Sequence, residues 1–168
     1  MSVKRLVRIA MLGASLYVAQ LALAVLPNVE IVSLLIVIFT LLFGRDAVYI
    51  SLVYVMFTGF HWGFGLWWAT YLFVWPLFSL TVGKLAGMVG DNWHTWAFVL
   101  AVFGLAFGAL FAVPYIFVVS PKYALTYWIA GIPWDVTHCV ANFVLASIVG
   151  KRLFTILQRA VEGTAQVG

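Results

Sequence analysis

Basic residues in this chain stand between apolar runs and hardly ever inside them. Lys4, Arg5 and Arg8 precede the first run, Arg45 falls between the second and third, and Lys84 closes the fourth; Lys151, Arg152 and Arg159 follow the sixth, leaving Lys122 alone before it. Only 8% of the residues are charged and 65% are hydrophobic, with a mean hydropathy of +1.12. An average soluble domain carries roughly 25% charged residues. A membrane-crossing helix needs about 20 apolar residues, and the sequence holds about six such stretches with little left for a soluble domain. This pattern predicts a single all-α integral membrane domain over residues 1–168, a bundle of six transmembrane helices in the cell membrane.

With an even number of spans, every basic residue except Lys122 falls on one side, and the positive-inside rule puts both termini in the cytoplasm. A pI near 9.4 therefore reports topology, and no basic patch for nucleic acid forms. Ile9 to Leu26 is long for a cleavable leader and lacks a small-residue cleavage site, so it is expected to stay as a span. Lone Cys139 excludes an internal disulfide and suits a small residue buried in a helix.

The predicted spans are Leu6 to Leu26, Glu30 to Phe43, Ala47 to Phe57, Leu66 to Gly87, Thr95 to Val118 and Pro133 to Gly150. Pro27-Asn28 and Gly44-Arg45-Asp46 mark turns. Gly59 to Gly65 reads as a glycine-broken aromatic loop, and Ser120 to Tyr123 as the start of an outer loop. Pro76 predicts a kink in span four. Gly104, Gly108 and Ala112 form a small-residue stripe on span five that admits another helix closely. Lys151 to Arg159 reads as a basic amphipathic extension at the inner surface, and the tail from Glu162 is expected to be disordered.

Within this apolar chain, Gly131-Ile-Pro-Trp-Asp135-Val-Thr-His138-Cys-Val-Ala-Asn142 is a polar island. On a helix, Asp135, His138 and Asn142 fall at i, i+3 and i+7 and share one face. Ionisable groups inside a membrane are costly and mark cavities or helix contacts. The predicted topology gathers Asn28 and Glu30, His61 with Trp62, and the island from Trp134 on the outer side. Trp67, Tyr71 and Trp75 add an aromatic ridge at i, i+4 and i+8, suited to a flat heterocycle oriented by a few polar groups.

Plainer roles compete for each of these residues. Trp and Tyr gather at membrane interfaces whatever the protein does. Glu30 and Asp135 could each support the first turn of a helix, and His138 with Asn142 could hydrogen-bond between helices. Enzyme and metal chemistry lack support: the three histidines are scattered, with no HExxH or paired-cysteine spacing, no GxSxG elbow and no phosphate loop. No catalytic residue, cofactor or metal ligand is therefore expected. Ala10 and Ala14 put two small residues one turn apart on span one, a groove for internal packing or for a partner helix.

Taken together, the chain resembles the substrate-binding S components of energy-coupling factor transporters, small six-span proteins that capture vitamins. The likeness rests on length, span number, Ala10-xxx-Ala14, Pro27-Asn-Val-Glu-Ile-Val-Ser33, Gly63-Phe-Gly-Leu-Trp-Trp68 and the stretch from Gly131 to Phe143. It implies a prokaryotic plasma-membrane protein whose Ala10 and Ala14 face docks on a transmembrane coupling protein joined to two cytoplasmic ATPases. It also implies ligand capture near the outer surface, followed by toppling of the loaded protein. Asp135, His138, Asn142, Trp134, Trp68 and Tyr71 are the pocket candidates, with Glu30, Asn28 and His61 at its rim. Lys122 and the tryptophans lean toward an anionic or aromatic ligand. The rival readings are a membrane scaffold of the rod-shape-determining kind and a stand-alone small-molecule carrier or channel.

Overall fold

Ser2 opens helix α1 (Val3–Leu23), its side chain accepting from the Arg5 backbone amide at 3.3 Å. The computed structural model describes residues 2–166 and contains only helices and their connections. After α1 come α2 (Val32–Phe43), α3 (Asp46–Trp62), α4 (Leu66–Val89), α5 (Trp93–Val118) and α6 (Pro121–Leu145). A π-helical stretch, Ala146–Gly150, leads on to α7 (Lys151–Gln166). Four pieces are long and apolar enough to cross a membrane: α1, α4, α5 and the continuous helix from Pro121. Their outward faces carry large apolar side chains such as Phe73, Met88, Phe117 and Ile148, the surface a lipid solvent favours.

Helix α2 has 12 residues, about 18 Å at 1.5 Å per residue, against a hydrocarbon core about 30 Å thick. It is apolar on all sides, and residues Val32 to Leu34 and Ile36 to Thr40 are buried, which makes it the bundle's inner strut. Its neighbours include α1, α3, α4 and α6. Gly44, at φ 57°, adopts a left-handed conformation that lets the chain reverse into α3 within two residues.

Three boundaries differ clearly from those the sequence predicts. Helix α3 continues through Gly59, Phe60, His61 and Trp62, so the expected loop shrinks to residues 63–65. Phe64 and Trp68 pack so closely on the bare Cα of Gly59 that the glycine serves as a contact point inside the helix. The second correction concerns span six, which begins at Pro121 and not near Pro133. Ser120 caps Tyr123 N at 3.2 Å and Pro121 occupies the first turn, a favourable start signal. Pro133 then lies within α6. At the other end, α7 extends through Glu162 to Gln166, where the sequence suggested an unstructured tail; residues 167 and 168 lie outside the described residues.

Helix α5 packs most extensively on α6, and α1 on α3. The α5 to α6 seam uses the predicted small-residue stripe: a Cβ on Gly104 would meet the backbone of His138 and Cys139 at 2.9 Å. On α1 the equivalent role falls to Gly13, whose Cα lies against Val53 and the Ile50 carbonyl. Arg5 and Arg8 both grip the buried carboxylate of Asp46, the latter at 2.7 Å, tying the starts of α1 and α3 together.

Candidate functional site

The connection between α1 and α2 folds back over the bundle because Asn28 takes a positive φ of 58°, a conformation asparagine tolerates better than most residues. Its Nδ2 donates to the Trp134 carbonyl at 3.0 Å, latching the connection to α6. Two residues on, Glu30 turns into the bundle. Ser33 N donates to Glu30 Oε2 at 2.8 Å and Ser33 Oγ donates to Oε1, so the carboxylate caps α2 at its positive end. Across the interior, His138 Nε2 stands 3.0 Å from Glu30 Oε1, with the carboxylate accepting.

Asp135, His138 and Asn142 are all buried, at 4%, 4% and 2% exposure, on the one face of α6 that their spacing specifies. Their surroundings then diverge. Asp135 Oδ1 accepts from Gly108 N at 2.9 Å, an approach open because a side chain on Gly108 would overlap the carboxylate. His138 reaches Glu30. Asn142 donates from Nδ2 to the Leu100 carbonyl at 3.3 Å and joins α6 to α5.

Beside this row lie two cavities, both partly open. The first, about 290 Å³, is walled by Tyr54, Tyr71, Trp75 and Phe107, with Glu30 and His138 among its lining residues and Gln20, Asn28 and Trp62 completing its polar and aromatic edge. Tyr71 and Trp75 meet edge to face, with ring centroids 5.6 Å apart, and both contact Phe107. The second, about 530 Å³, is lined by Asp135, Trp134, Tyr127, Phe111 and Gly108. Pro27, Asn28 and Phe107 line both, so the latched connection and one phenyl ring stand where the two meet.

The structure thus brings Glu30, Asn28, His138 and Tyr71 to the first cavity and Trp134 and Asp135 to the second. Three sequence candidates lie outside both. Asn142 sits deeper in the helix seam, while Trp68 donates from Nε1 to the Val55 carbonyl at 2.9 Å and fastens α4 to α3. His61 is exposed and bonds the Tyr17 hydroxyl; its neighbour Trp62 lines the cavity instead. Ala10 is exposed and Ala14 half-buried, whereas Ile9, Gly13 and Leu16 face inward.

Trp75, named in the aromatic ridge, also lines the first cavity, and Gln20, Tyr54 and Phe107 line it beyond the residues singled out from sequence. Gln20 and Tyr54 carried a signal, a polar group in the middle of an apolar span; Phe107 carried none. Among the described residues no group of His, Cys, Asp or Glu gathers as metal ligands do. No Lys or Arg lines either cavity. No family model, curated protein or solved structure gives a significant match to this chain.

Proposed function

We propose that this chain is the membrane-embedded capture subunit of an ATP-driven importer of the energy-coupling factor type. It binds a small water-soluble vitamin or related heterocycle from the outer side. A separate membrane coupling protein and two cytoplasmic ATPases then drive delivery. The observation that carries this reading is the first cavity: a partly open, aromatic-walled pocket of about 290 Å³ with the part-buried Glu30 to His138 pair in its wall. Aromatic walls with a few fixed polar groups are what small-molecule sites use. A scaffold has no use for such a pocket, and a polar pair taken out of water is a weak source of stability beside well-packed apolar residues.

Six crossings of one multi-pass plasma-membrane protein, with both termini cytoplasmic, complete the proposal. The distribution of basic residues supports it, with α2 counted as an inner strut too short to cross unaided. The exposed side of α1 at Ala10 and Ala14 supplies the small-residue face for the coupling protein.

The test is mass spectrometry of small molecules released from detergent-purified protein, beside a Glu30→Gln, His138→Ala variant prepared identically. A heterocycle retained by the parent and lost from the variant is the expected result. Uptake by vesicles containing this chain alone, with no ATPase present, would replace the coupled importer with a stand-alone carrier.

A further inference from the structure

Buried polar groups nearly always find hydrogen-bond partners, and one left without costs about 1–3 kcal/mol. Among the described residues, three buried side-chain atoms lack a partner: Gln20 Oε1, Trp75 Nε1 and Asp135 Oδ2. All three belong to residues that line the two cavities, Gln20 and Trp75 the first and Asp135 the second. Across the rest of the bundle, buried hydroxyls return their protons to backbone carbonyls: Thr40 to Ile36, Thr58 to Val55, Ser79 to Trp75. The residues with unmet hydrogen-bonding capacity therefore all belong to the cavity walls, with the atoms themselves lying just behind the cavity surface.

The chemistry of these atoms is specific. Trp75 Nε1 can only donate, and Gln20 Oε1 and a carboxylate oxygen of Asp135 accept. Glu30 adds a second carboxylate, and neither cavity offers a Lys or Arg to balance an anion. Lys122, which led the sequence toward an anionic ligand, lies on the first turn of α6 and lines neither chamber.

We infer that the ligand is an amino-substituted aromatic heterocycle with a second nitrogen-bearing arm, cationic or N–H-donating, and not a carboxylate. Its ring lies between the aromatic walls of the first cavity, where a small turn of the Gln20 and Trp75 side chains on binding brings a ring acceptor to Trp75 Nε1 and an amino group to Gln20 Oε1. Its arm passes Phe107 and the Asn28 latch into the second cavity and donates to Asp135 Oδ2. The two chambers thus form one bipartite site. This inference rests on the capture reading and narrows it to a substrate class.

Purified protein would be incubated with two equimolar pools and the retained compounds identified by mass spectrometry. One pool holds aminopyrimidines, aminopurines and thiamine; the other holds biotin, pantothenate, lipoate and nicotinate. Retention from the amino pool is expected, weakened tenfold or more by Asp135→Asn for members bearing a cationic arm and by Trp75→Phe for all of them. Asp135→Asn keeps the oxygen that accepts from Gly108 and should melt near the parent, whereas Trp75→Phe trims a fully buried ring and should melt somewhat lower; retention is therefore compared per folded protein, and a merely structural role for either residue would leave that ratio unchanged. Retention from the carboxylate pool, or undiminished retention by both variants, overturns the substrate class and leaves capture standing. Retention from neither pool overturns capture itself and this inference with it.

Discussion

His138 Nε2 and Glu30 Oε1 meet at 3.0 Å across 108 positions of sequence, joining the middle of α6 to the cap of α2. Removing one member of a buried pair strands the other, at a typical cost of about 3–5 kcal/mol. Glu30 keeps both Ser33 bonds and 16% side-chain exposure, so His138→Ala should fall at the lower end, about 3 kcal/mol. The double variant Glu30→Gln, His138→Leu should lose less than the sum of its single changes. Denaturation midpoints in detergent check this; strict additivity would mean the two side chains act independently.

Gly104 and Gly108 occupy adjacent turns of α5, but their substitutions should differ. At Gly104 an added methyl meets backbone, which cannot yield, so Gly104→Ala should separate the helices and cost about 1–3 kcal/mol. At Gly108 it meets the Asp135 carboxylate, a side chain able to swing away. Gly108→Ala should leave the melting temperature within a few degrees of the parent's while weakening ligand retention. Equal melting temperatures for the two variants would contradict this ordering.

Asn28 has a backbone role and a side-chain role. Asn28→Gly keeps the positive φ and removes the latch to Trp134. Ligand exchange should accelerate in both directions, with affinity changing less than either rate. Asn28→Ala should in addition lose about 1–2 kcal/mol of stability, because a residue with a Cβ and no local hydrogen bond is disfavoured at this positive φ. Stopped-flow quenching of tryptophan fluorescence by ligand would separate the two effects.

On α1 two small residues one position apart point to opposite consequences. Gly13 is pressed against Val53 and Ile50, so Gly13→Leu should destabilise the bundle. Ala14 lies half-buried beside the exposed Ala10. Ala14→Leu should spare folding and ligand binding while blocking uptake in vesicles that contain the coupling protein and ATPases. Normal uptake by Ala14→Leu would remove this face from the coupling role.

The apolar runs, the shared face of Asp135, His138 and Asn142, and the stripe at Gly104 and Gly108 were legible in the sequence because helical periodicity and polarity specify them locally. The start of α6 was misread because Pro133 drew attention from Ser120-Pro121, an equally good helix start twelve residues earlier. Gly59 looked like a loop breaker because its packing partner Trp68 lies on another helix, and that contact outweighs glycine's weak helix propensity. Trp68 and Trp75 were indistinguishable as aromatic residues in one span. Only the fold could show that Trp68 spends its N–H on Val55 while Trp75 keeps its own unspent.

The helix that begins at Pro121 runs through the π-helical stretch into α7 without a connecting loop. Asp135 and His138, beside the cavities, and the amphipathic face bearing Leu153, Phe154 and Leu157 therefore belong to one continuous rod. From His138 to Gln166 it covers about 42 Å at roughly 1.5 Å per residue. A slide along its axis at His138 has no slack segment in which to dissipate, apart from the π turn, a wider coil of the kind often found at functional sites. Under the capture proposal, this rod is the route by which a displacement at His138 would reach the segment around Leu153 to Leu157.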